Sequence, residues 1–276
     1  MPPCHDKIET ALDLLETIFQ DHQCIVLWGS SGKDSTALLH LMQPWRERVT
    51  IIHNQVDGGW PGSTENLLTL AVSWGFKPPI LTQPVLTFDE YVAQFGYQAE
   101  VIPTEYDTLV QPPSPFQSGS VRVSSWWHCT LLRQILPLAQ ATLTLGADAV
   151  LTGSRASDAP GFAAMGEWTD AGQDLLGFIR YNPLTHWTTS EVYAYIDEKN
   201  IPLPPHYQWK RAAGDRYEFP DCLRCTWQPE HWTLLKEQYP EVYAEHWPET
   251  KHVYEALASQ QWEYTKRLMK VIINHA

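Results

Sequence analysis

Apolar and polar positions follow two kinds of pattern along the chain, one typical of helices and one typical of buried strands. Apolar residues at helical spacing predict a first helix over 7–20, and short continuous apolar runs predict buried strands. The predicted strands cover 24–28, 49–56, 79–85, 148–153 and 177–181, and the later helices cover 35–43, 63–75, 87–95, 130–145, a segment capped by Thr188 or Thr189, and the last fifty residues. Alternating strands and helices predict an α/β fold, a parallel sheet with helices on both faces.

One segment shows neither the helical nor the strand pattern. Residues 105–125 are rich in Pro and Ser and lack a clear period. Structureless connections of that length are usually functional. The sequence therefore predicts an irregular loop or lid there.

Polar clusters follow three of the predicted strands. Ser30–Ser35 follows the first, Asp57–Gly59 the second and Gly153–Arg155 the fourth. Ligands of open parallel sheets lie beyond the carboxyl ends of the strands. We therefore expect these three clusters to share one site.

The first cluster has the composition of an anion site. A turn rich in Gly and Ser directs backbone N–H groups into one concavity, and the next helix adds the positive end of its dipole. Lys33 adds a point charge, whereas Asp34 would repel a phosphate unless a metal lay between them. The pattern predicts a nucleotide phosphate with Mg²⁺. The alternative is an ordinary strand–helix turn capped by Ser or Asp.

Charge and cysteine content narrow the class of protein. The chain has 276 residues and a formal net charge of −13, which argues against strong autonomous binding to DNA. Five cysteines without a secretory signal favour the cytoplasm over a disulfide framework. No apolar run approaches the roughly 20 residues of a membrane span, so no membrane partner is expected.

The loop Ser30-Ser31-Gly32-Lys33-Asp34-Ser35 resembles the S-G-G-x-D-S loop of the PP-loop ATP pyrophosphatases. Its Gly-Lys-Asp-Ser-Thr ending is most similar to the branch that contains phosphoadenosine-phosphosulfate reductases and the sulfurtransferases of DNA phosphorothioation. This resemblance implies a Rossmann-like adenine nucleotide alpha-hydrolase fold. It implies a nucleotide-binding domain over 1–226, followed by a helical extension over 227–276.

Further stretches extend the resemblance. "VDGGWPGSTEN" is similar to the family segment that meets adenosine, with Val56, Asp57 and Gly59 matching best. "TGSRASDAPG" resembles the Gly-x-Arg segment and supplies Gly153 and Arg155. The resemblance implies that Arg155 contacts a phosphate or sulfate oxygen, for which its guanidinium offers a bidentate fork. With it, Lys33 and Asp34 are the predicted catalytic residues.

The cysteines resemble those of the iron–sulfur members of this family. "WWHCTLLRQ" and "FPDCLRCTW" keep three of the four cluster cysteines, Cys129, Cys222 and Cys225, and place His128 at the fourth position. The resemblance implies a [4Fe-4S] cluster, with His128 as a candidate ligand. Zinc held by the same four residues is an alternative. A site without metal, with the cysteines as a redox dithiol or as simple packing, is another.

These observations favour one function and leave two others open. The leading hypothesis is an ATP pyrophosphatase that adenylates an oxygen later replaced by sulfur, with DNA reached through partner proteins as the most specific acceptor. A cysteine desulfurase is the sulfur donor that the resemblance implies, and a homodimer is left open. The first alternative is a sulfonucleotide reductase, although the family's C-terminal nucleophile has no counterpart after Cys225. The second is a non-catalytic nucleotide-binding subunit.

Overall fold

The computed structural model describes residues 5–99, 116–118, 121–156, 171–173, 178–210, 216, 222–224 and 229–258. Contacts group the chain into two compact units. The first unit consists of Met1–Gln55, Pro61–Gln83 and Leu136–Pro204, and the second consists of Val56–Trp60, Pro84–Ile135 and Pro205–Ala276.

The helices and strands alternate through most of the described chain. The strands are β1 (Ile25–Trp28), β2 (Val49–Asn54), β3 (Ile80–Thr82), β4 (Tyr97–Ala99), β5 (Phe116–Ser118), β6 (Val121–Ser125), β7 (Ala149–Leu151), β8 (Ala171–Gln173) and β9 (Ile179–Tyr181). The helices are α1 (His5–Asp21), α2 (Lys33–Leu41), α3 (Ser63–Ser73), α4 (Phe88–Phe95), α5 (Trp126–Thr130), α6 (Leu136–Leu145), α7 (Thr189–Glu198), α8 (Pro229–Gln238) and α9 (Pro240–Ala258). A π-helical turn, Leu131–Ile135, joins α5 to α6, and 3₁₀ turns lie at Gln43–Trp45 and Pro205–Gln208.

The first unit is built on one sheet with the strand order β3-β2-β1-β7-β9-β8. Every pair is parallel except β8 with β9, which is antiparallel. Side chains alternate between the two faces, as the pleat requires. Ile25 and Leu27 pack with α1, α2, α3 and α7, whereas Trp28 and Val150 pack with Ala139 of α6. The predicted α/β fold, with helices on both faces of a parallel sheet, is confirmed.

The second unit contains a three-stranded sheet with the order β4-β6-β5. Strand β6 pairs in parallel with β4 and antiparallel with β5. Both β5 and β6 lie inside the segment 105–125, so the prediction of an irregular loop was wrong for those residues. The Pro and Ser residues around β5 and β6 made both segments look irregular in the sequence. Each segment is a strand through its pairing, β6 with β4 and β5 with β6. The other residues of that segment lie outside the described ranges.

The prediction that the last fifty residues are helical is confirmed for the described part, because α8 covers Pro229–Gln238 and α9 covers Pro240–Ala258. Their aromatic residues join the core of the second unit, in which Trp232, Trp247 and Tyr254 pack with Trp60 and Phe88. These helices thus belong to the same unit as residues 84–135. The division of the chain at 226/227 stays a prediction.

Candidate functional sites

The first candidate site is the turn between β1 and α2 in the first unit. Gly29 N donates to the Ile52 carbonyl oxygen at 2.9 Å, which fixes where the chain leaves the sheet. Two further bonds close the turn: Ser30 N donates to Ser35 Oγ at 2.9 Å, and Gly32 N donates to Ser30 Oγ at 3.2 Å. Gly32 is the extended N-cap, so α2 begins at Lys33, two residues earlier than the sequence predicts.

Gly153 brings the end of β7 against the first turn of α2. A Cβ atom at this position would lie 2.7 Å from Ser35 N and 2.8 Å from the carbonyl carbon of Asp34. Real Cβ atoms essentially never approach backbone that closely, so glycine is required here. The close approach places Ser154 and Arg155 beside the loop.

Asp34 lies between two cations. Lys33 Nζ is 2.6 Å from Asp34 Oδ2, and Arg155 Nε is 3.0 Å from Asp34 Oδ1. Lys33 and Arg155 are both buried, while the Asp34 side chain keeps 22% of its exposure. The three charges sum to one positive charge at a helix N-terminus, an arrangement that suits an anion.

Helix α7 orients the arginine. Thr188 caps this helix in a capping box with Glu191, as the sequence predicts for Thr188 or Thr189. The next residue, Thr189, accepts a hydrogen bond of 2.8 Å from Arg155 Nη1 through its Oγ1. The Arg155 guanidinium is therefore held at two nitrogens, at Nε by Asp34 and at Nη1 by Thr189.

The second candidate site lies in the second unit and centres on Arg133. This side chain is 2% exposed and forms an ion pair with Asp57. Its Nε donates to the Leu86 carbonyl oxygen at 3.0 Å, and its Nη2 donates to the Asp57 carbonyl oxygen at 3.3 Å. The other carboxylate oxygen, Asp57 Oδ2, accepts a hydrogen bond of 2.6 Å from Phe88 N.

Sequence reasoning identified Asp57 but missed Arg133. The arginine lies in the π-helical turn, and such turns often occur at functional sites. One signal was available, because Cys129 stands immediately before the helix predicted over 130–145, and Arg133 follows it by four residues, a spacing that makes residues neighbours in a helix. Arg133 Nη1 indeed lies 3.9 Å from Cys129 Sγ.

Two buried thiols, Cys129 and Cys222, belong to the same unit as this cation. Burial raises the pKa of Cys129 to about 12; the charges of Cys222 and Asp57 act in the same direction, and Arg133 acts against them. Cys222 is placed by a bridge to Gly59 and by a bond from Leu223 N to the Gly58 carbonyl oxygen at 2.8 Å. Gly58 has a φ of +89°, a left-handed conformation that favours glycine.

His128 has a polar partner of its own. Its Nδ1 lies 2.8 Å from the hydroxyl of Tyr91, and its ring packs edge-on against Phe95. Burial lowers the pKa of His128, so the neutral imidazole is favoured. In this arrangement Nδ1 is engaged with Tyr91, and a metal at His128 would use Nε2.

Two of the predicted metal ligands, Cys129 and Cys222, are compatible with a metal group bound by thiolates. Cys129 and Cys222 are soft donors, and the Arg133 cation beside Cys129 offsets the negative charge that such a group carries. Within the described ranges no three His, Cys, Asp or Glu side chains are arranged to hold a metal ion. Cys225 lies outside those ranges, so the cluster stays a prediction.

The predicted site residues fall in both units. The first unit holds Ser30, Ser31, Gly32, Lys33, Asp34, Ser35, Gly153 and Arg155, and the second holds Val56, Asp57, Gly59, His128, Cys129 and Cys222. Lys33, Asp34 and Arg155 come together as one charge cluster. Asp57 and Cys129 are joined through Arg133. The roles predicted for all these residues stay predictions.

Comparisons with known proteins agree with the resemblance read from the motifs. Residues 24–226 match the family model described as phosphoadenosine phosphosulfate reductase domain. An adenosine 5'-phosphosulfate reductase of Lysinibacillus sphaericus (strain C3-41) is 22% identical over 218 residues, 78% of this chain and 79% of that protein. A sulfate adenylyltransferase subunit 2 of Rhizobium sp. (strain BR816) is 26% identical over 222 residues, 71% of this chain and 65% of that protein.

A solved structure is also similar. The phosphoadenylyl-sulfate reductase from Candida auris, in a phosphate complex, aligns with a TM-score of 0.46 at 18% identity, over 74% of this chain and 90% of that chain. In the described part of the chain no helix is long and apolar enough to cross a membrane. Because the family model spans most of the chain, this protein belongs to the phosphoadenosine phosphosulfate reductase domain family.

Proposed function

We propose that this chain is an adenylating enzyme of sulfur transfer, an ATP pyrophosphatase. One observation carries the proposal: the carboxylate of Asp34 is held between Lys33 and Arg155 at the N-terminus of α2. Two buried cations make the loop attractive to phosphates, and the carboxylate between them provides an oxygen ligand for a divalent ion.

The proposed reaction has three steps. An oxygen of the acceptor attacks the α-phosphorus of ATP, the bond to the β-phosphate oxygen breaks, and pyrophosphate leaves with the electron pair. The outer sulfur of a persulfide then attacks the acceptor atom that carries the adenylated oxygen, and the bond to that oxygen breaks, so that AMP leaves with the oxygen. A thiol then supplies two electrons and cleaves the remaining S–S bond, which leaves the sulfur on the acceptor. Lys33 and Arg155 offset the charge that develops on the phosphate oxygens. When bound, Mg²⁺ would supply further charge neutralisation, with Asp34 as its protein ligand.

The relatives support adenylation as well as reduction. Two of the similar proteins are an adenosine 5'-phosphosulfate reductase and a sulfate adenylyltransferase subunit 2. Transfer of an adenylyl group from ATP releases pyrophosphate, which is the first step proposed here. This chain therefore belongs among enzymes that handle sulfur through an adenine nucleotide.

The second unit would handle the sulfur. We propose that Cys129, Cys222 and Cys225, with His128, hold a [4Fe-4S] cluster, and zinc is the alternative. The arginine that touches Cys129 supports this assignment, because a thiolate-bound group is anionic. A cysteine desulfurase is the proposed sulfur donor, and DNA, bound through partner proteins, is the proposed acceptor. We propose the cytoplasm as the compartment in which the protein meets this donor and this acceptor.

A sulfonucleotide reductase is the second candidate, favoured by the relatives that carry that name. The two hypotheses differ in what the protein consumes. An adenylating enzyme consumes ATP and releases pyrophosphate, whereas a reductase consumes an adenylylated sulfate and a thiol.

The test measures pyrophosphate release from Mg-ATP. The protein, purified without oxygen, is mixed with ATP, a DNA duplex, a cysteine desulfurase and cysteine, and in parallel with ATP and sulfate. We expect pyrophosphate and AMP with at least one acceptor. Asp34→Asn should lower kcat/KM about 100-fold, while the exposed Asp13→Asn in α1 should leave it unchanged.

Three results would contradict the proposal. Thiol-dependent reduction of adenylylated sulfate without ATP turnover would identify a reductase. ATP binding without turnover in either mixture would identify a non-catalytic subunit. Equal loss of activity in Asp34→Asn and Asp13→Asn would remove Asp34 from the site.

A further inference from the structure

His53 is a buried histidine of the first unit to which the proposed chemistry gives no part. It lies in β2, one residue before that strand ends at Asn54. Both nitrogens of its ring have polar partners. Nδ1 lies 2.9 Å from the Gly29 carbonyl oxygen, and Nε2 lies 3.0 Å from Thr64 Oγ1. The ring therefore joins the start of the turn between β1 and α2 to the first turn of α3.

The two partners determine which ring nitrogen carries the hydrogen. A carbonyl oxygen can only accept a hydrogen bond, so Nδ1 carries a hydrogen and donates it to Gly29. A hydroxyl can donate or accept, so Thr64 suits either form of the ring. In the neutral ring Nε2 then has a lone pair, and the Thr64 hydroxyl donates to it. The carbonyl of the turn thus selects the Nδ1–H tautomer.

The same contact fixes the orientation of one peptide plane in the turn. The C=O and N–H groups of a planar trans peptide point in opposite directions. His53 holds the Gly29 carbonyl at one end of the Gly29–Ser30 peptide, and Ser35 Oγ accepts from Ser30 N at the other, at 2.9 Å. The preceding peptide is also fixed, because Gly29 N donates to the Ile52 carbonyl oxygen at 2.9 Å. Strand β2 therefore holds the start of the turn through one side chain and one carbonyl.

We propose that His53 is a positioning residue for anion binding at this turn. By holding the Gly29 carbonyl it keeps the backbone N–H groups that follow in the direction from which they bind an anion. The inference rests on the proposed function, in which the turn binds the phosphates of ATP. Donors that are already ordered bind without the entropy cost of ordering them. Loss of the contact to Gly29 should therefore weaken anion binding, although Lys33, Asp34 and Arg155 are unchanged.

Two substitutions separate the two hydrogen bonds of the ring. In His53→Asn the amide nitrogen stands where Nδ1 stands and can still donate to the Gly29 carbonyl. In His53→Gln it stands where Nε2 stands and can reach only Thr64. Both variants lose the ring, so any general loss of packing affects them alike.

The test is titration calorimetry of the full chain in the presence of Mg²⁺. The two probes are inorganic pyrophosphate and the ATP analogue with a methylene group between its α- and β-phosphorus atoms. His53→Gln should raise both dissociation constants about tenfold, and His53→Asn less than about threefold. His40→Gln is the control: it removes a buried contact of 2.7 Å between Nδ1 and the Tyr195 hydroxyl on α2, away from the turn, and should leave both constants unchanged.

The wild type provides a second readout that does not depend on how well a variant folds. In protein labelled with ¹⁵N-histidine, the chemical shifts of His53 should be those of a protonated Nδ1 and an unprotonated Nε2. A hydrogen on Nε2 and none on Nδ1 would overturn the proposal, because the ring could not then donate to the Gly29 carbonyl.

The outcomes separate this inference from the proposed function. Equal dissociation constants for His53→Asn and His53→Gln would overturn the role of His53 and leave the ATP chemistry standing. If the two variants differ as expected while the wild type turns over no ATP, the role of His53 stands and the proposed function fails. A wild type that binds neither probe would overturn both.

Discussion

Each of the two units buries an arginine against an aspartate, and the third member of each cluster differs. In the first unit Arg155 pairs with Asp34, and Lys33 adds a second cation. In the second unit Arg133 pairs with Asp57, and the third neighbour is the thiol of Cys129. The first cluster therefore has an excess of positive charge, suited to phosphate. The second has one cation beside soft donors, suited to a thiolate or a group bound by one.

The reactivity of Cys129 is the strongest test of that contrast. A pKa raised to about 12 leaves little thiolate at pH 8. In protein freed of metal, alkylation of Cys129 should be roughly a thousand-fold slower than that of a free thiol, measured by peptide mass spectrometry. The rate should rise with pH over the range in which the protein stays folded, and Arg133→Gln should slow it further because the cation favours the thiolate. Alkylation as fast as that of a free thiol would contradict this view of the second cluster.

Removing Arg155, the arginine of the first unit, should mainly lower the stability of the folded protein. Arg155→Leu leaves Asp34 with one cation and Thr189 without its donor. We expect a loss of about 3 kcal/mol in the free energy of unfolding, measured with urea, together with weaker ATP binding. Arg46→Leu, at an exposed position, is the control and should change stability by less than about 0.5 kcal/mol. Equal effects of the two substitutions would show that the Arg155–Asp34 pair contributes little.

Acid should destabilise the second unit through His206. This residue is 2% exposed and stacks on Trp60 at 4.6 Å, and burial lowers its pKa to about 3. The unfolded chain takes up a proton near pH 6.5 whereas the folded chain does not, so stability falls as the pH drops below about 6.5. The loss should be about 2 kcal/mol at pH 5. His206→Phe keeps a ring and removes the titration, so its unfolding free energy should change less between pH 7 and pH 5. An unchanged slope in that variant would rule out His206 as the source.

The features that the sequence predicted correctly are those that depend on residues close together in the chain. The alternation of strands and helices, the turn at Ser30–Ser35 and the cap at Thr188 are all local features. Arg133 was missed because its contact with Asp57 spans 76 residues and depends on a π-helical turn. Strands β5 and β6 were missed because they are defined by partners rather than by their own pattern. For the same reason, the sequence did not show that residues 56–60 group with 84–135 and the C-terminal helices.

The smallest predicted effect compares one helix cap in each unit. Thr87 caps α4 and Thr188 caps α7, each in a capping box with a glutamate three residues later. In both boxes the hydroxyl accepts from a helical N–H, at 3.2 Å for Thr87 and 3.3 Å for Thr188. Thr87→Ala and Thr188→Ala should each cost about 1 kcal/mol of unfolding free energy, because one N–H at each helix start loses its partner.

A threonine inside a helix provides the control for both caps. The Thr17 hydroxyl donates to the Asp13 carbonyl oxygen within α1, so Thr17→Ala removes a bond that no helix start depends on and should be neutral or slightly stabilising. Glu191 is also held by Lys7 at 2.8 Å, which keeps its carboxylate near the start of α7 after Thr188→Ala. If that contact compensates, Thr188→Ala will cost less than Thr87→Ala. A larger loss for Thr188→Ala would mean that the cap also holds Thr189 against Arg155, and so couples a surface helix end to Asp34 at the start of α2.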